Sequence, residues 1–316
     1  MSLSNLTPVF ESIPMGYPIG KKVLLKMECF QEAGSFKIRG VGKVCELLKR
    51  QGCQRYVCPS GGNAGFAVAW AGRKLGVRST IVMPEGASIE AQDAIRMLDG
   101  EVIVHGETWY QSNDLAMEIA GQEMFTEYVS PYENPVLWTG YSTMVDEIVN
   151  QCEKPDAIVL SIGGGGLMCG LIEGLDRHHW GDIPIIGCGT FGANAFAASM
   201  EADTLIRLDR VTSMVTCISA EVITEKVMEY RRNHHLIPYL TTDYAAMCAC
   251  ERFLDDHRVL VDPACGVALS AVYSNSSILG DAQSILVIVC GGVGVKQEKL
   301  EIWKRQAAAN LEKEMQ

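Results

Sequence analysis

The alternation of short β-rich runs with helix-period stretches constrains this chain more than any other feature. KVLLKME, RYVCP, STIVMP, EVIVHG, AIVLSI, IPIIGCG and SILVIVCGG read as strands. IRGVGKVCELLKRQ, AGFAVAWAGRKLG, DLAMEIAGQEM and TTDYAAMCACERFLDDH read as helices. Strand, helix and strand repeated in this way are the signature of parallel βαβ units. Strands so continuously apolar are expected to be covered on both faces. The segment SPYENPVLWTG interrupts the alternation with two prolines and no periodicity, and it is the candidate crossing between two lobes.

A chain of 316 residues exceeds the usual single-domain size and has room for two α/β lobes. A formal net charge of -11 argues against a nucleic-acid or anionic-membrane surface, because a polyanion is repelled over most of the molecule. A small molecule is the expected partner. Twelve cysteines would suggest disulfides in a short secreted chain, but these fall within strand and helix patterns. MSLSNLTPVFESIPMGYP has neither the charged nor the apolar region of a signal peptide. AIVLSIGGGGLMCGLI is too short and too glycine-broken to cross a bilayer. A reduced cytoplasm is the expected compartment.

Glycine- or serine-rich turns GSFK, PSGGNAG, SIGGGGL and CGGVG each follow a strand. In an open parallel sheet the carboxyl ends of the strands converge on one crevice, so turns distant in sequence can meet there. Gly163, Gly164, Gly165 and Gly166 stand between a strand and a helix start. Without Cβ atoms, successive N–H groups can point at one anion and the helix dipole adds to the attraction, so this turn suits a phosphate. Close helix-to-sheet packing is the plainer explanation of a single glycine, but four in a row are conformationally costly. No GxxxxGK[ST] is present. One GxGxxG does occur, at Gly187, Gly189 and Gly192, with Asp209 about twenty residues beyond, and it competes on paper as a dinucleotide fingerprint.

PSGGNAG offers a hydroxyl, bare backbone and a side-chain amide at a helix start, a set that suits a carboxylate. The plainer reading makes Ser60 a helix N-cap and Asn63 a turn residue. In EAGSFKIRG, Lys37 sits between Phe36 and a helix start. A nucleophilic lysine, a cradle for a monophosphate and a donor-rich turn for a carboxylate are together what a pyridoxal 5′-phosphate enzyme acting on amino acids requires.

GSFKIRG, GGNAG, GGGGL, TFGA, VDPACGVALSAVYS and VIVCGG occur in the order found in the serine/threonine dehydratases of the tryptophan-synthase-β-like, fold type II pyridoxal-phosphate family. The chain resembles that family over nearly its whole length, most of all its L-serine dehydratase branch. The resemblance implies an α/β fold of two lobes, each an open, mostly parallel sheet flanked by helices. Residues 34–134 would form the small lobe, and residues 1–33 with 135–316 the large cofactor-binding lobe. It implies that Lys37 holds the cofactor covalently, that Phe36 lies against its ring and that Asn63 bonds its 3-oxygen. Gly163 to Gly166 with Leu167 would hold the phosphate; Ser60, Gly61, Asn63 and Ala64 would receive the substrate carboxylate. Cys290 would face the pyridine nitrogen, where a thiol, with an ordinary pKa of about 8.5, leaves the ring less charged than a carboxylate would. The implied reaction is β-elimination from L-serine, releasing an aminoacrylate that hydrolyses to pyruvate and ammonia; L-threonine would give 2-oxobutanoate. A homodimer is implied as well.

Departures from the family pattern cluster on one side of the expected site. Gly189 stands where relatives carry a cation-binding glutamate, and without that carboxylate the attraction for an ion falls sharply. TSMVTCISAEV replaces a motif like SxAKALG, and GGVG replaces GGSN. No protein metal ligands are assigned from the sequence, and a cation requirement stays open. Racemisation or β-replacement on the same scaffold, and a catalytically impaired cofactor-binding relative, stand as alternatives.

Overall fold

The computed structural model describes residues 2–314. Among them run ten strands: β1 (Val9–Glu11), β2 (Lys22–Lys26), β3 (Arg55–Cys58), β4 (Arg78–Met83), β5 (Glu101–Val104), β6 (Thr126–Tyr128), β7 (Ala157–Ser161), β8 (Ile185–Thr190), β9 (Leu236–Thr241) and β10 (Ser284–Ile288). They form two sheets, in two compact units. Unit one comprises Met1–Leu6 and Gln31–Tyr141; unit two comprises Thr7–Phe30 and Ser142–Gln316. The expected boundaries at 34 and 134 fall inside unit one. Asn5 and Gln31 exchange two hydrogen bonds of 2.8 Å, which ties the first residues to that unit.

Unit one is built on a four-stranded parallel sheet in the order β5-β4-β3-β6. The central strands β3 and β4 are buried almost throughout, as the apolar runs predict, but β5 lies at the edge and is only partly covered. Helix-to-strand turns at its amino rim end in left-handed residues: Gly52, Gly76, Asp99 and Phe125 all have φ between 59° and 93°. The proline-rich segment is not without structure. Pro135–Tyr141 is a helix, entered through a proline in the first position, where the missing N–H costs nothing. It crosses the Lys37–Arg50 helix backbone to backbone, because a Cβ on Gly140 would lie 2.5 Å from the Gly40 Cα.

Unit two holds six strands in the order β1-β2-β10-β7-β8-β9, antiparallel only between β1 and β2. β7 and β8 are fully buried. Lys26, fully buried on β2, is met by the Thr7 carbonyl at 2.7 Å, Glu147 at 2.5 Å and Gln151 at 3.0 Å, so its charge is paired. No helix among the described residues is long and apolar enough to cross a membrane. Every cysteine is a free thiol.

Candidate active site

Each sheet reverses its strand order once, and the candidate residues sit at the reversals. In unit one the chain moves from β3 outward to β4 and β5, then returns to place β6 on the other side of β3. The carboxyl ends of β3 and β6 therefore flank a crevice of the kind that binds ligands in open α/β sheets. The Ser60–Ala64 turn leaves β3 directly. Segment 129–131 leaves β6, and the Pro131 carbonyl accepts a 2.5 Å hydrogen bond from Lys37 Nζ. Lys37, Phe36, Ser60, Gly61, Asn63 and Ala64 thus belong to one rim of one sheet.

The donor turn has an unusual construction. Asn63–Leu75 is a helix whose N-cap is Gly62, with no side chain capping it. Ser60 is therefore not the cap that the plainer reading supposed: its Oγ accepts from the Gly62 N–H at 3.4 Å, and no side chain caps the helix. First-turn N–H groups lie beyond the reach of intrahelical carbonyls, and the helix dipole makes that end attractive to an anion. Gly65 is fixed by contact, since a Cβ there would stand 1.8 Å from the Ser60 carbonyl oxygen.

Lys37 opens its helix, half-buried, with its ammonium 5.2 Å from the Phe36 ring centroid. Tyr141 packs edge-on against Phe36 at 4.9 Å. The nearby Cys58 thiol is pushed up to about 12 by burial, an effect the Lys37 charge partly offsets, so it stays protonated. Sequence reasoning did not find Tyr141, Cys58 or Pro131, because only the crossing of helices and the return of β6 bring them to Lys37. Ser35 was adjacent to the motif yet carried no signal of its own. The hydroxyls of Ser35 and Tyr141 are buried without hydrogen-bond partners. In cofactor-free protein, Tyr141→Phe is expected to be neutral or stabilising by about 1 kcal/mol in urea unfolding, because no bond is lost with the oxygen. A clear destabilisation would show that the hydroxyl has a partner.

In unit two the reversal lies between β7 and β10. The chain leaves β7 for β8 and β9, then returns to lay β10 on the opposite side of β7. Gly163 to Gly166 follow β7, and Gly166–Arg177 is a helix whose N-cap, Gly165, is left-handed at φ 93°. Cβ atoms on Gly163 and Gly165 would lie 2.9 Å from Ile218 Cα and 2.7 Å from Val227 Cγ2. The Thr224 N–H bonds the Gly164 carbonyl at 2.9 Å, so the divergent 187–223 region ends against this turn. Leu167 is buried behind it. Cys290 lies two residues beyond β10, with its sulfur 3.5 Å from Ser161 Oγ at the end of β7. The structure thus brings the glycine turn and Cys290 to one rim.

The GxGxxG match fails on structure. Gly187 and Gly189 are interior residues of β8, paired with Pro238 and Leu240 of β9, instead of forming a turn that opens a helix. Gly192 is held by contact with the Ser213 N–H. The first two glycines therefore do not line a strand-to-helix turn of the kind that holds a pyrophosphate.

Two reversing α/β sheets, an uncapped donor turn, a lysine at a helix start and a glycine cradle define a fold type II pyridoxal-phosphate enzyme. Residues 3–291 match the family described as pyridoxal-phosphate dependent enzyme, and the chain belongs to it. It is 42% identical over 307 residues to the L-serine dehydratase of Dictyostelium discoideum, covering 91% of this chain and 88% of that one. It is 37% identical over 309 residues to the L-serine dehydratase/L-threonine deaminase of Homo sapiens, covering 95% and 94%. Among solved structures, a fungal L-serine ammonia-lyase from Rhizomucor miehei superposes with a TM-score of 0.91 at 31% identity, over 97% of this chain and 100% of that one.

Proposed function

We propose that this protein is an L-serine ammonia-lyase that converts L-serine to pyruvate and ammonia and also turns L-threonine into 2-oxobutanoate. The carrying observation is Lys37, held at the sheet reversal that also presents the Ser60–Ala64 turn. The names of the relatives support the same reaction. The residues present fit the cofactor: neither Gly163 nor Gly165 leaves space for a Cβ, and the helix behind them opens with uncapped N–H groups.

When bound, pyridoxal phosphate supplies the electron sink that lets the Cα–H bond of an amino acid break and a β-substituent leave. The protein does the rest. In our reading N–H groups of Gly163 to Gly166 and Leu167 hold the phosphate, and the Asn63 side chain and Phe36 orient the ring. Ser60, Gly61, Asn63 and Ala64 bind the substrate carboxylate. The neutral amine of Lys37 takes the Cα proton. The β-hydroxyl departs as water with a proton supplied by Lys37 or the cofactor phosphate, and the released 2-aminoacrylate hydrolyses in solution. Cys290, backed by Ser161, would face the ring nitrogen. Residues 34–134 would act as the substrate-binding lobe and the remainder as the cofactor-binding lobe.

Gly189 supports independence from a bound cation. Its backbone position lies inside β8, and a Cβ there would already be 3.0 Å from the Ala193 carbonyl. Turnover is expected to be the same in potassium and in tetramethylammonium buffers; a loss in the latter would restore an ion to the site. Free thiols throughout support a reducing compartment, the cytoplasm, and the family likeness supports a homodimer.

The test is to add L-serine to the holoenzyme and assay pyruvate and ammonia together. Equal amounts of both uphold the reading. D-serine without pyruvate would point to racemisation, and a change in the cofactor's absorbance without either product would point to binding alone.

A further inference from the structure

Behind the rim of unit two lies a group of metal-ligating atoms that the proposed reaction uses only through Cys290. The sulfur atoms of Cys290 and Cys265 are 3.5 Å apart. The Asp262 carboxylate joins them, all ligand atoms falling within 4.8 Å of one another. Their places are fixed by backbone. Asp262 caps the Pro263–Tyr273 helix by accepting from the Cys265 N–H at 3.2 Å. Cys265 Sγ donates to the Gly291 carbonyl at 3.0 Å and accepts from the Gly291 N–H at 3.3 Å, locking the helix start to the end of β10. None of the three is more than 3% exposed.

Two thiols and a carboxylate buried side by side are a donor set that a divalent cation can hold, the thiols binding as thiolates.

The spacing indicates which kind of ligand suits it. With a metal–sulfur bond of about 2.3 Å, two thiolates at a tetrahedral angle stand about 3.8 Å apart. The observed separation is close to that edge and well beyond a disulfide bond of about 2.05 Å. Thiolates select zinc or cadmium over magnesium or calcium.

We propose that Asp262, Cys265 and Cys290 form a binding site for a soft divalent cation of the zinc or cadmium kind, and that ion and cofactor exclude each other at Cys290 Sγ. The exclusion rests on the reading of Cys290 as the partner of the ring nitrogen; the ion site does not. Each thiol that binds the ion releases its proton to solvent, with no change of oxidation state.

The experiment titrates Cd2+ into the full-length protein stripped of cofactor, following thiolate-to-metal charge-transfer absorbance and bound cadmium by equilibrium dialysis. Cys265→Ser and Asp262→Asn are compared with wild type, the asparagine keeping an acceptor for the helix cap, and circular dichroism confirms their fold. Wild type is expected to bind roughly one more Cd2+ per chain than Cys265→Ser. Asp262→Asn should weaken that ion by about tenfold or more, and pyridoxal phosphate should release it. Equal uptake by wild type and both variants overturns the site. Uptake that Cys265→Ser abolishes but the cofactor does not displace upholds the ion site and removes the reading of Cys290.

Discussion

Lys37→Ala is expected to lower kcat for L-serine by about 10³- to 10⁴-fold while the protein remains folded. Two features separate chemistry from stability here. Lys37 is the first residue of its helix, where alanine is at least as good a helix former. Its ammonium reaches the Pro131 carbonyl at the rim of the sheet, and its place at the helix start takes no part in strand pairing. Loss of covalently held cofactor should accompany the loss of turnover. Borohydride reduction followed by mass spectrometry reads this out: the cofactor stays on the wild-type chain and leaves the variant. Wild-type turnover in the variant would sink the assignment of Lys37, whatever its effect on stability.

Gly65→Ala is expected to be the most damaging single methyl group in unit one. The added Cβ would lie 1.8 Å from the Ser60 oxygen and 2.9 Å from Ile81 Cγ2. The first of these is backbone and cannot swing aside, so the Ser60–Ala64 turn must open. Overpacking of this kind costs about 2 to 3 kcal/mol, seen as a lower melting temperature. Because the displaced groups are those assigned to the substrate carboxylate, KM for L-serine should rise by about tenfold or more. Gly62→Ala is the control for stability: its Cβ meets nothing within 4 Å and its φ of -110° suits any residue. Equal melting temperatures for the two variants would refute the argument from contact.

Much of the fold could be read from hydrophobic runs, and the elements that escaped have identifiable causes. Seven runs named as strands coincide with β2, β3, β4, β5, β7, β8 and β10. β1 and β6 are only three residues long, too short to show a period. β9 contains Pro238, which argues against a strand until β9 proves to be an edge, where a missing N–H can face outward. The Pro135–Tyr141 helix was hidden in the same way by a proline that its first position favours. The Ser60–Ala64 and Gly163–Gly166 turns could be placed near strand ends because each follows its strand directly, whereas Lys37 lies well beyond β2 and in the other unit. Tyr141, Pro131, Ser161 and Cys265 could not, since their relevance comes from return crossings and from glycine contacts between helices. The dinucleotide match shows the converse error, in which correct spacing fell within a strand and lost its meaning.

The left-handed stops at Gly52, Gly76, Asp99 and Phe125 lie on the rim of unit one opposite Lys37 and the donor turn. Two of these four positions carry side chains in a backbone conformation that glycine adopts without strain. The sheet therefore separates its obligations by edge. One rim must conserve donors and a lysine, and the other must only halt helices. Stabilising changes at Asp99 and Phe125 would then escape the usual conflict between robustness and turnover, leaving this enzyme room to become sturdier without becoming slower.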